Sequence, residues 1–73
     1  MMIQKTAYFN KFGDQLCVHP GQNDFGEHGW FVSIATNDPR RDNPIHPVMW
    51  YATEAGAAAG VWGVAQMKSF KAA

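Results

Sequence analysis

Alternation of apolar and polar positions is clearest over residues 30–36, where Trp30, Val32 and Ile34 share one face of an extended chain and Phe31, Ser33 and Ala35 the other. That run predicts a central strand. Residues 15–19 repeat the pattern, with Leu16 and Val18 on one face and Cys17 and His19 on the other. Residues 48–52 do so again, setting Val48, Trp50 and Ala52 against Met49 and Tyr51. Over residues 3–12 the apolar positions Ile3, Ala7, Tyr8, Phe9 and Phe12 alternate imperfectly, which predicts a strand with a bulge near Tyr8 and Phe9.

The segments between these runs read as turns and loops. Gly13-Asp14 has the composition of a two-residue hairpin turn with glycine first. Pro20 is expected to end the second strand, so that residues 20–29, with three glycines and two acids, form a ten-residue loop. Residues 37–47 hold three prolines and four charges and form a second loop.

From Thr53 onward the period changes. Residues 54–70 contain five alanines and no proline, follow a capping threonine with Glu54 in the first turn, and end near Lys68, which predicts one helix. On a helical wheel Gly56, Gly60, Gly63, Met67 and Phe70 fall together with Val64 beside them. Three glycines there are expected to face the sheet at close range. The other side carries Ala55, Ala58, Ala59, Trp62, Gln66 and Ser69, so Trp62 is placed on the outside. The expected fold is α+β: one domain over residues 1–73, with a small antiparallel sheet of three to four strands packed by one C-terminal helix. No internal repeat is read.

Composition narrows the function classes. A chain of 73 residues is marginal without help from a metal, disulfides or a partner. Its one cysteine, Cys17, allows no internal disulfide and suits a reducing cytoplasm. Six basic and six acidic residues balance, which argues against a surface made for nucleic acid or anionic lipid. The first residues lack the apolar run of a signal peptide, and no stretch is long enough to span a bilayer. With five Phe, three Trp and two Tyr, the chain has more aromatic area than one sheet face can hide, and a protein-binding surface needs no basic groove to use the remainder.

Two chemical constellations can be drawn. Cys17 with His19, His28 and His46 supplies four zinc-ligand types, but the paired Cys-x₂₋₄-Cys or His-x₃₋₅-His spacing is missing. Cys17 with a histidine and Asp24 or Asp42 could form a thiol triad, but no family signature surrounds the cysteine. A small buried thiol and separate surface histidines are the simpler reading, and no catalytic residue, metal or cofactor is expected. Arg40-Arg41, bracketed by Asp38 and Asp42 in a proline-braced loop, suits contact with an acidic groove on a protein.

In size and general character, a neutral chain with a small sheet and a single alanine-rich helix at residues 53–71 resembles the small inhibitor proteins encoded by phages, anti-CRISPR proteins among them. The resemblance is one of architecture across the whole chain and carries over no site. It implies a non-enzymatic protein-binding module that occupies a surface of a larger host complex, such as a CRISPR effector, in the host cytoplasm. The expected contacts are Arg40, Arg41, Trp62 and the loop around Phe25. Two alternatives stand beside it: a homodimeric accessory protein that buries its Trp62 face, and a small metal- or thiol-dependent enzyme using Cys17 and the histidines.

Overall fold

The computed structural model describes residues 3–37 and 45–73. Within them the chain runs β1 (Gln4–Phe9), β2 (Gln15–Gln22), β3 (His28–Ala35), β4 (Ile45–Tyr51), α1 (Glu54–Lys68) and β5 (Lys71–Ala72). The strands form one antiparallel sheet in the order β4-β3-β2-β1-β5. The class is α+β with a C-terminal helix, and the sheet has five strands rather than three to four.

Leu16, Val18 and Val32 point from the two inner strands into a core completed by Ala57, Val61, Val64 and Ala65 of α1. Tyr8, Trp30, Ile34, Val48 and Tyr51 pack around its rim. Paired residues of a sheet share a face, so the other face carries Cys17 with Ser33, and His19 with Phe31 and Trp50. In β1 the register shifts between Lys5 and Phe9, where the broken alternation called for a bulge. Side chains replace the ladder bonds lost there. The Thr6 hydroxyl donates to the Leu16 carbonyl at 2.9 Å and accepts the Tyr8 N–H at 3.2 Å, while Gln15 Nε2 donates to the Thr6 carbonyl at 2.6 Å.

Pro20 does not end β2, which continues to Gln22 with Pro20 opposite Trp30. The paired part of β1 reaches only Gln4, opposite Val18, so among the described residues Pro20 is paired on one side alone. Such an edge position accepts a residue with no N–H. The expected ten-residue loop therefore shrinks to a tight hairpin turn.

That turn, Asn23-Asp24-Phe25-Gly26-Glu27, duplicates the one joining β1 to β2, Asn10-Lys11-Phe12-Gly13-Asp14. The glycine in each has positive φ, 83° at Gly13 and 78° at Gly26, and its N–H closes onto the asparagine carbonyl at 3.1 and 3.0 Å. In each, the asparagine Oδ1 accepts the N–H groups two and four residues on, and its Nδ2 donates to the following acid at 3.1 Å. The first turn is thus three residues long rather than the expected two. The chain also holds a five-residue internal repeat, Asn-x-Phe-Gly-acid, where none was expected. Both phenylalanines project from the turn tips, Phe12 69% exposed and Phe25 88%.

The Thr53 side chain caps α1 by accepting the Gly56 N–H at 3.0 Å, with Glu54 in the first turn and Lys68 in the last. The helix stops at Lys68, short of the expected residue 70. Ser69 turns left-handed at φ 61°, and the chain then buries Phe70 and adds β5 to the sheet edge beside Tyr8 and Phe9.

The helix is also rotated from the expected setting by roughly 100°, one residue's turn. Ala57, Val61, Val64 and Ala65 face the sheet, whereas Gly63 and Met67 are exposed. Gly60 is half-buried under the Tyr51 ring, where an added Cβ would strike the phenol, and at Gly63 a Cβ would meet open space. Gly63→Ala is therefore expected to raise stability by about 1 kcal/mol through helix propensity. Gly60→Ala, which must displace Tyr51, is expected to lower it by about 1–2 kcal/mol. Urea denaturation of the two variants checks the opposite signs.

Candidate functional site

Helix α1 lies over β2, β3 and β4, leaving β1 and β5 less covered. Its flank toward that open edge carries Ala58 and Trp62, with Ala65 below. Two grooves run there, of about 430 and 250 Å³, and Tyr8 and Trp62 line both. Val18, Ala58 and Val61 also line the smaller groove, and Ala65 and Phe70 the larger. Trp62, 63% exposed, is a ridge between them. The small residues around it let the indole stand clear of its own helix.

Of the other expected contact residues only Phe25 is described, and it is separate from this flank. Phe25 sits at the tip of its turn and lines neither groove. Arg40 and Arg41 lie outside the described residues.

Of the residues singled out for chemistry, Cys17 and His19 are placed on the opposite sheet face. Cys17 is fully buried, and its thiol donates to the Ser33 carbonyl at 3.6 Å rather than to a histidine. Burial pushes the thiol above its ordinary value of 9.0, opposed by a smaller effect of the Lys5 ammonium. His19 shares the face, as its strand position implies, but bonds to Ser33: Nε2 stands 2.7 Å from the Ser33 hydroxyl and Nδ1 3.0 Å from the Pro20 carbonyl. A carbonyl only accepts, so Nδ1 carries the ring proton, and in the neutral ring Nε2 accepts from Ser33. The Phe31 ring lies against the imidazole with centroids 5.7 Å apart.

The Cys17 triad that the sequence allows to be drawn is not assembled among the described residues. Asp24 sits in an exposed turn, His28 is bonded to Gln22 at 3.1 Å, His46 is exposed on β4, and Asp42 lies outside the described residues. Among the described residues no three His, Cys, Asp or Glu side chains stand close enough to hold a metal. The pair that does form, His19 with Ser33, has the spacing of a base and a hydroxyl nucleophile. Ser33 has no exposed surface, however, so the bond ties β2 to β3 and presents no reactive oxygen. The signal that would have found it is the turn centred on Phe25. It sets Cys17 opposite Ser33 and His19 opposite Phe31, which makes His19 and Ser33 diagonal neighbours.

No helix among the described residues is long and apolar enough to cross a membrane. No protein-family model, curated protein or solved structure matches this chain.

Two outcomes follow for the buried face. Ser33→Ala leaves the His19 Nε2 without its partner and is expected to cost about 1–3 kcal/mol in urea denaturation. Cys17 has its pKa raised by folding, so the folded state keeps a proton that the unfolded state loses. Stability is then unaffected by this group below the unfolded value and falls as pH rises above about 9. Denaturation at pH 8 and pH 10 is expected to show a drop that is smaller in Cys17→Ala. Equal drops in the two proteins would contradict a buried thiol.

Proposed function

We propose that the protein is a small non-enzymatic protein-binding module that docks through the flank of α1 around Trp62. The observation that carries this reading is the exposed indole standing between two grooves, with Tyr8 shared by both. Tryptophan is enriched among the energetic anchors of interfaces, and the grooves on either side of it, lined in part by Ala58, Ala65 and Tyr8, give a partner surface to fill. The balance of six basic and six acidic residues favours a protein partner over nucleic acid.

Such a module fits the inhibitor reading, in which a phage-encoded protein occupies a surface of a host complex, such as a CRISPR effector, in the host cytoplasm. Phe25 and the Arg40-Arg41 pair are then secondary contacts. The same flank also suits the homodimer reading, in which two copies bury their Trp62 ridges together.

Trp62→Ala separates function from fold, because the side chain contributes little to the core. Affinity for a partner captured from native host extract is expected to fall by about 2 kcal/mol, roughly thirtyfold, with an unchanged melting temperature. A partner bound equally well by wild type and Trp62→Ala would remove this flank from the site. If Trp62→Ala instead abolishes a concentration-dependent dimer, the homodimer reading takes its place.

A further inference from the structure

The two matching turns lie at opposite ends of β2, separated by roughly 26 Å of strand, and they differ in charge. At one end Phe25 is flanked by Asp24 and Glu27, and α1 begins at the same end with Glu54. At the other, Phe9, Phe12, Lys11, Lys68 and Lys71 line an open pocket of about 520 Å³, with Lys11 Nζ 5.1 Å from the Phe12 ring centre. The acid of this second turn, Asp14, is engaged by Asn10 Nδ2 at 3.1 Å and by the Asn37 N–H at 2.9 Å. Among the described residues, the carboxylates of Asp24, Glu27 and Glu54 stand at one end, and Lys11, Lys68 and Lys71 outnumber Asp14 at the other.

We propose that the protein self-associates head to tail, the Phe25 turn of one copy entering the Lys11–Lys68–Lys71 pocket of the next. Shape and charge agree on this occupant. An 88%-exposed ring carried between carboxylates meets a pocket walled by two phenylalanine rings and rimmed by three ammonium groups. The asparagine-braced turn holds Phe25 in place before contact, so little conformational freedom is lost on docking. Zero net charge leaves no long-range repulsion between copies. The two patches differ, so the contact is heterologous, and each added copy offers a fresh acidic and a fresh basic end. Two turns bury less than the roughly 1,200 Å² of a stable interface, which sets the affinity on the order of 0.1 mM. Charge pairs at the rim make it salt-sensitive. Trp62 itself takes no part in this contact, although Lys71 also lines the larger groove beside it.

Sedimentation velocity from about 10 µM to about 1 mM tests the proposal across the expected affinity range. At low salt the wild-type protein is expected to form species beyond the dimer, with association weakened at least about tenfold by 0.5 M salt. Two variants at exposed positions block one end each: Asp24→Asn with Phe25→Ser, and Phe12→Ser with Lys71→Gln. Each alone is expected to remain monomeric, and their mixture to form a one-to-one dimer and nothing larger. Should either variant fold poorly, amide shifts of the wild-type protein on concentration decide instead, and are expected at residues 11–12, 24–27, 68 and 71. A wild-type monomer at every concentration, blocked variants that associate normally, shifts elsewhere, or association lost in Trp62→Ala would each overturn the proposal.

Discussion

One narrow contact holds the architecture: Ala57, Val61, Val64 and Ala65 of the helix against Leu16, Val18 and Val32 of the two inner strands. Each fully buried valine or leucine contributes about 1.5–3 kcal/mol, and the net stability of a chain this size is only a few kcal/mol. A handful of such side chains therefore decides how the helix is set. Because the stripe is small, α1 can lie close to β2 and β3. The same setting turns Trp62 and Met67 outward and leaves Tyr8 at an open edge. The candidate surface is thus a consequence of the core.

The paired turns are the second constraint. Each is braced by one asparagine whose side chain serves two N–H groups and one acid, and each fixes the register of a hairpin. On the face away from the helix, that register brings His19 and Ser33 within 2.7 Å and hides the Cys17 thiol. A histidine and a cysteine two apart on a strand suggest chemistry. Among the described residues, His19 ties two strands together through Ser33, and the Cys17 thiol is buried beneath its neighbours.

Much of this was legible in the sequence. Period-two alternation marked the cores of β2 and β3, and Thr53 marked the start of the helix. In β4 a register shift breaks the expected alternation, so that Val48 and Tyr51 pack on the core while Trp50 joins Phe31 on the other face. The rotation of the helix was not legible, because eight of its fifteen residues are alanine or glycine and small residues on every side give a wheel little contrast. Glycine at 56, 60 and 63 suggested close packing, yet only Gly60 lies tightly under a side chain of the sheet, Tyr51. Gly56 is nearest the capping Thr53 hydroxyl, with Tyr51 in ordinary contact, and Gly63 faces open space. Pro20 misled because proline is excluded from paired strands but not from their free edges. Phe70 completed the apolar pattern of the helix, but it reaches the core from a tail that has already left the helix. Trp62 was placed outside by the wheel and stands exposed, although the wheel had the buried side wrong. It is far enough from both candidate sheet faces to be exposed in either setting.

The central claim is that the side of α1 carrying Trp62 is left open by the core for another protein to cover. Hydroxyl-radical footprinting, read residue by residue on the free protein and on its complex from native extract, tests this most directly. The account predicts strong modification of Trp62 and Met67 and little of Val61 and Val64 in the free protein, with Trp62 strongly protected in the complex. A Trp62 already protected in the dilute free protein, or modified equally with and without partner, would contradict it.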